Sequence, residues 1–248
     1  MKQKETHERI VPIEGVHNLR HMGGYQTRSG QETNADLLRA ASLHRMTDGS
    51  SAELARLGVR TVVDFRSEGE RKTLETPELA RHGIKQVAAA VFQTDASPVA
   101  LEGEFPGFAV VYETFLETGR GAYRSLAETI ATTEGRLVFH CAAGKDRTGV
   151  AAALLLDLAG VDDADILEDY SLSCALLAPM LPEWMAGMAA RGLDPSRAER
   201  MLASEPEDMA SLLGHLRERW GSAGGYFRDI GVSDDTLRAV RGRMLGSC

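Results

Sequence analysis

Arg136-Leu-Val-Phe-His140-Cys141-Ala-Ala-Gly144-Lys145-Asp146-Arg147-Thr148-Gly149, running on into Val150-Ala-Ala-Ala-Leu-Leu-Leu-Asp157-Leu-Ala159-Gly160, reads as a strand, a loop and a helix in immediate succession. Residues 136–140 are short and apolar, as in a buried strand. Residues 147–159 carry no continuous polar face, which marks a helix enclosed on all sides. A short glycine-bearing loop between such elements turns successive backbone N–H groups inward as a cradle for an anion. The positive end of the following helix is aimed at the same point.

Working outward, Val59-Arg-Thr-Val-Val-Asp64 is a second β-branched, buried-type strand. Ahead of it, Ser50-Ser-Ala-Glu53 has capping-box spacing and predicts a helix start, with Gly58 as its stop. Residues 18–22 form a possible short strand that ends in the Gly23-Gly24 turn. Residues 67–108 mix charge, Gly and Pro and give little pattern; helices are expected over 108–116 and 121–132. Beyond Gly160 no strand is expected. Asp162 or Asp163 opens a helix that stops near Pro179, and Asp194-Pro195 is a cap followed by an N1 proline. Ser204-Glu-Pro-Glu207 has capping-box spacing and leads into Met209, Leu212, Leu213, Leu216 and Trp220 on one face. A last helix is expected over 234–245. The reading is an α/β protein, with a mostly parallel central sheet flanked by helices and an α-helical C-terminal region. One catalytic domain over 1–248 is expected, with residues 162–228 as a helical lid insertion.

The chain has 248 residues and a net charge of −8, which argues against nucleic acid or an anionic membrane as a general partner. No apolar run approaches the ~20 residues of a membrane span; the longest, 150–158, contains Asp157 and is followed by Gly160. The N-terminal residues 1–9 are polar, without the apolar block of a signal peptide. The cytoplasm is the expected location, although signal-free export would leave no mark in the sequence. Cys141, Cys174 and Cys248 form neither a disulfide framework nor zinc-ligand spacing, so no metal or cofactor is expected.

The loop residues define a chemistry. Cys141 sits where its thiolate is stabilised and is the candidate nucleophile. Arg147 follows with five residues between, so the loop can curl and bring a planar fork beside the sulfur, suited to two phosphate oxygens. The amides of Ala142, Ala143, Gly144 and Lys145 would line the cradle, and the Lys145 ammonium would favour a substrate with more than one phosphate. Thr148 is expected to hydrogen-bond the sulfur and make it a better leaving group. Asp146 is the candidate general acid and base, and Asp64, at a strand end, is the alternative acid. Arg66 and Arg20 are candidate substrate cations, the plainer reading being internal ion pairs. His140 is expected to orient the loop through a ring hydrogen bond. Met180, Met185, Met188, Met201 and Met209 fall in the helical region, as core or as an adaptable lid. Cys174 and Cys248 are expected to be spectators.

The segment resembles the C-x5-R signature loop of the protein tyrosine phosphatase superfamily. More narrowly, H-C-x-x-G-K-D-R-T-G is similar to bacterial atypical tyrosine phosphatases that also hydrolyse phosphoinositides. The likeness extends to Asn18-Leu-Arg20 with Gly23-Gly24-Tyr25, to Leu38-Arg39-Ala-Ala-Ser42, to Val63-Asp64-Phe-Arg66 with Glu70, and to Tyr226 after Gly221-Ser222. It covers residues from about 12 to 245, and His21 stands where that family usually has Asp. The resemblance implies a tyrosine-phosphatase-like fold with a helical lid, and activity on phosphoproteins and phosphoinositides. It also implies that the loop aspartate, here Asp146, serves as general acid. The substrate is then a phosphorylated protein, with phosphotyrosine leading and phosphoserine or phosphothreonine behind it, or a phosphoinositide; a lipid-specific phosphatase is the alternative. A loop-cysteine sulfurtransferase or arsenate reductase is a more distant one, which would need neither Thr148 nor Asp146. An inactive phosphate-binding module would be expected to have lost Cys141, Asp146 or Arg147.

Overall fold

The computed structural model describes residues 8–77, 79–92 and 105–246. The central sheet contains β1 (Arg20–His21), β2 (Leu37–Ala40), β3 (Val59–Asp64), β4 (Lys85–Ala88) and β5 (Arg136–His140), in the order β1-β2-β5-β3-β4. Only the β1–β2 pairing is antiparallel. Strand β5 lies in the middle, and its alternation divides the core. Leu137 and Phe139 face a large core that includes the C-terminal helices, whereas Val138 joins Leu38, Val62 and Leu54 in a smaller one. All of these are essentially unexposed. The register puts Ala40, His140 and Asp64 in one row across three parallel strands. The segments after all three therefore leave the sheet at the same edge, where α/β folds place ligands.

The helices are α1 (Asp48–Arg56), α2 (Glu68–Thr73), α3 (Phe108–Thr118), α4 (Arg120–Thr132), α5 (Asp146–Ala159), α6 (Asp163–Leu177), α7 (Leu181–Ala190), α8 (Pro195–Leu202), α9 (Pro206–Trp220), α10 (Ala223–Asp229) and α11 (Asp234–Leu245). Helix α5 is the axle. It packs against β2 and β5 and against α3, α6, α9, α10 and α11, which is why Val150–Leu156 needs no polar face. Each of its buried leucines contributes about 2 kcal/mol from removal of apolar surface from water. Gly160, at φ 91°, ends it in the left-handed region that only glycine adopts without strain.

Three expectations from the sequence are corrected here. Helix α1 begins ahead of the expected box, because Thr47 accepts from the Ser50 N–H and caps the chain earlier. Helix α9 is capped at Glu205, not Ser204, with Pro206 fixing the first turn. The run Asp163–Ala190 is, by length and composition alone, apolar enough to cross a membrane, contrary to the expectation that none would be. It consists of two helices, α6 and α7, joined through a 3₁₀ turn at Ala178–Met180. Its first half turns Ile166, Asp169, Tyr170, Ser173 and Leu177 into the protein.

Candidate active site

The loop 141–145 is held by its carbonyls. Ala142 O accepts from the Ser42 N–H at 2.9 Å. The Asn18 side-chain amide donates to Ala143 O at 3.0 Å and to Gly144 O at 3.1 Å, and Arg39 donates to Gly144 O at 2.9 Å. In a trans peptide the N–H points opposite the preceding C=O. With three successive carbonyls anchored on one side, the N–H groups of Ala143, Gly144 and Lys145 face the other way, as an anion cradle requires. Gly144 is obligatory here. Its φ is +67°, and a Cβ would lie 2.2 Å from Ala40 O. Asn18 itself has φ 56°, a left-handed conformation that Asn tolerates and that delivers its amide to the loop.

Behind the loop lies a buried ion cluster. Asp169 takes hydrogen bonds from Arg20 Nε at 2.9 Å and from the Tyr25 hydroxyl at 3.0 Å, and pairs closely with Arg39. Arg20 also donates to the Asp169 carbonyl at 2.8 Å and to Ser173 Oγ at 3.2 Å. Burial pushes the Asp169 carboxyl up, but the two guanidiniums and the phenol outweigh it and hold it far below the usual range. Arg20 is fully buried in this cluster, so the expectation of a substrate-facing cation gives way to an internal ion pair bracing the loop. His21 accepts through Nδ1 from the Gly23 N–H at 3.1 Å.

Arg147, in the first turn of α5, is gripped by Glu70. Nη1 donates to Oε2 at 2.7 Å and Nη2 to Oε1 at 2.8 Å, a fork-to-fork pair, and its guanidinium lies 4.7 Å from the centre of the Phe92 ring. Burial works against the charge, but the Glu70 hydrogen bonds and the nearby Cys141 raise the Arg147 pKa. Glu70 is positioned by a capping box on α2, in which its carboxylate accepts from the Ser67 N–H at 2.8 Å and Ser67 Oγ accepts from the Glu70 N–H at 3.1 Å. Cys141 is a buried, free thiol. His140 Nδ1 lies 3.1 Å from Cys141 O, the contact expected of a loop-orienting ring. The Thr148 hydroxyl is buried without a hydrogen-bond partner among the described residues, so the expected bond to the sulfur is not formed.

The two candidate acids differ sharply. Asp64 accepts from the Arg66 backbone N–H at 2.9 Å, from Arg66 Nε at 3.0 and 3.1 Å, and from Nη2 at 2.7 Å. Burial pushes its carboxyl up, yet His140 and Arg66 together keep it below its ordinary value. Arg66, the other expected substrate cation, is spent on Asp64, Ser42, Thr76 and the Leu74 carbonyl. Asp146 is the first residue of α5 and half-buried. Its Oδ1 accepts from the Tyr112 hydroxyl at 2.7 Å and lies 3.3 Å from Lys145 Nζ. Lys145 donates to Met201 O at 2.9 Å and to Ala203 O, and its ammonium sits 4.1 Å from the centre of the Phe108 ring. The expected second phosphate cation is thus engaged by the C-terminal end of α8.

Asp169, Tyr112 and Tyr170 escaped the sequence reading. A signal existed for Asp169: it shares the inward face with Ile166, Tyr170, Ser173 and Leu177, where a carboxylate needs partners. Cys174 is exposed, as a spectator would be, and Cys248 lies outside the described residues.

A mostly parallel sheet carries Cys141 directly after β5 and Arg147 in the first turn of α5, on the two sides of one loop. Residues 11–246 match the model of the tyrosine phosphatase family, and the chain belongs to that family. It is 30% identical over 220 residues to a tyrosine-protein phosphatase of Nostoc commune, covering 84% of this chain and 73% of that protein. It is 30% identical over 251 residues to the triple specificity protein phosphatase PtpB of Mycobacterium tuberculosis, covering 85% of this chain and 91% of the relative. The activity is of the protein tyrosine phosphatase type.

Proposed function

We propose that Cys141 attacks the phosphorus of a phosphate monoester in line with the leaving oxygen. The P–S bond forms as the P–O bond breaks, and Asp146 gives its proton to the departing oxygen. Water then attacks the phosphocysteine, giving a proton back to Asp146 as the P–S bond breaks and phosphate leaves. Arg147 and the loop amides carry the charge that spreads over the three equatorial oxygens. The carrying observation is the Glu70-held fork of Arg147 beside a loop whose Ala142, Ala143 and Gly144 carbonyls are tied away from the cradle. Asp146 is preferred to Asp64 as acid because Asp64 is locked to Arg66 and kept ionised. Residues 181–203 act as a lid in this reading, since Lys145 on the loop holds the carbonyls of Met201 and Ala203.

Phosphotyrosine in proteins is the leading substrate. Phosphoinositides are the second, supported by Lys145, whose ammonium a second phosphate would attract from the lid carbonyls. Catalytic efficiencies on a phosphotyrosine peptide and on mono- and polyphosphorylated inositides, all with chelator present, test both. Turnover of the peptide that is lost in Cys141→Ser is expected. Full activity in that variant would overturn the mechanism, and peptide turnover far below that of the inositides would make lipid the primary substrate.

A further inference from the structure

Three helices meet at Asp146. It begins α5, Tyr112 comes from α3 and Tyr170 from α6, and both phenols are fully buried. Tyr112 has one hydroxyl hydrogen, which goes to Asp146 Oδ1 at 2.7 Å. The 2.6 Å contact between the two phenol oxygens is then a bond donated by Tyr170. The result is a directed chain, Tyr170 to Tyr112 to Oδ1. Lys145 Nζ adds a second contact at 3.3 Å, also to Oδ1. Among the described residues no hydrogen bond is donated to Oδ2. The carboxyl is therefore held asymmetrically.

A neutral carboxyl has one acceptor-only oxygen and one that carries the proton. A carboxyl free to turn about its last bond presents either. Donors fixed on Oδ1 make it the acceptor. Resting on the reading of Asp146 as general acid, we infer that Tyr112, backed by Tyr170, is a positioning residue that makes Oδ2 the atom exchanging the proton. In the first step the Oδ2 proton passes to the leaving oxygen as the P–O bond breaks. In the second, Oδ2 receives a proton from the attacking water as the P–S bond breaks. The phenols donate throughout and give up no proton. In support, burial first and the Asp146 charge second raise both phenols well above their ordinary value.

The test compares p-nitrophenyl phosphate, whose leaving group departs without a proton, with phenyl phosphate, whose leaving group needs one. In Asp146→Asn, kcat for phenyl phosphate is expected to fall about 10²–10⁴-fold and that for p-nitrophenyl phosphate far less. Tyr112→Phe should show the same split at roughly 10–10²-fold with KM unchanged, and no further loss when added to Asp146→Asn. Tyr170→Phe should show a weaker version of it, and reads the same chain if Tyr112→Phe has a lowered melting temperature. Equal losses on both substrates in the two tyrosine variants, or full additivity with Asp146→Asn, would overturn the inference while leaving Asp146 as acid. Equal losses in Asp146→Asn itself would overturn that reading and this one with it.

Discussion

Asp169 is buried between two guanidiniums and a phenol. Its folded carboxyl titrates far below the ordinary aspartate value, because Arg20, Arg39 and Tyr25 outweigh the burial that would raise it. A depressed folded value contributes stability that is complete above the unfolded pKa of about 3.9 and is lost as pH falls through the folded value. Stability is thus expected to decline in acid, below about pH 4. Asp169→Asn, measured by urea unfolding at pH 7, should lose about 3–5 kcal/mol by stranding two buried cations. It should also flatten the acid limb; an unchanged limb would remove Asp169 as its cause. Arg147→Lys keeps the charge but not the fork that Glu70 and phosphate share. A fall in kcat of at least 10²-fold, on the order of losing one preorganised donor, is expected even on p-nitrophenyl phosphate. Neither Asp169 nor Tyr112 was legible as a partner, since each meets its counterpart only through tertiary packing. Arg147 stood out in the sequence because only five residues separate it from Cys141.

Among the elements, the best-read ones are those whose burial is written into their own residues. Strands β3 and β5 match their β-branched and apolar runs residue for residue, and α5 begins one residue before the expected helix. Strand β4 was missed because Lys85-Gln-Val-Ala88 shows no buried face and no apolar alternation. Helix α2 was missed for a related reason: none of its residues is buried, and only the Ser67-to-Glu70 spacing announces it. That small helix nevertheless positions the carboxylate that grips Arg147. Ser67→Ala should cost about 1 kcal/mol in thermal or urea unfolding and also lower kcat by several-fold. A stability loss with full activity would show that Arg147 does not depend on the cap. In the loop, Gly144→Ala meets a carbonyl at 2.2 Å in a backbone region closed to side chains. Phosphatase activity in that variant should be lost beyond tenfold.

Over the whole molecule, the sheet edge at Ala40, Asp64 and His140 gathers segments distant in sequence around one anion cradle. Residues 18, 39, 42 and 169 brace it from behind, and the stretch ending at Ala203 is tied to Lys145 at its side. Charge-assisted hydrogen bonds of this kind contribute roughly 1.5–3 kcal/mol each. Lys145→Met should therefore free the α7–α8 segment and speed alkylation of buried Cys141 by iodoacetamide about tenfold or more; an unchanged rate would mean this segment does not cover the thiol. The α/β body and the place of the loop between β5 and α5 were legible in the sequence, whereas this latch was not, because a lysine's acceptors are backbone carbonyls on a remote segment. The most direct measurement is rapid acid quenching of the enzyme during turnover of a phosphotyrosine peptide, followed by mass spectrometry of the Cys141-containing fragment. One phosphate on Cys141, trapped in greater amount in a variant with slowed second-step hydrolysis, is the predicted result. Continued turnover with that sulfur never phosphorylated would contradict the account.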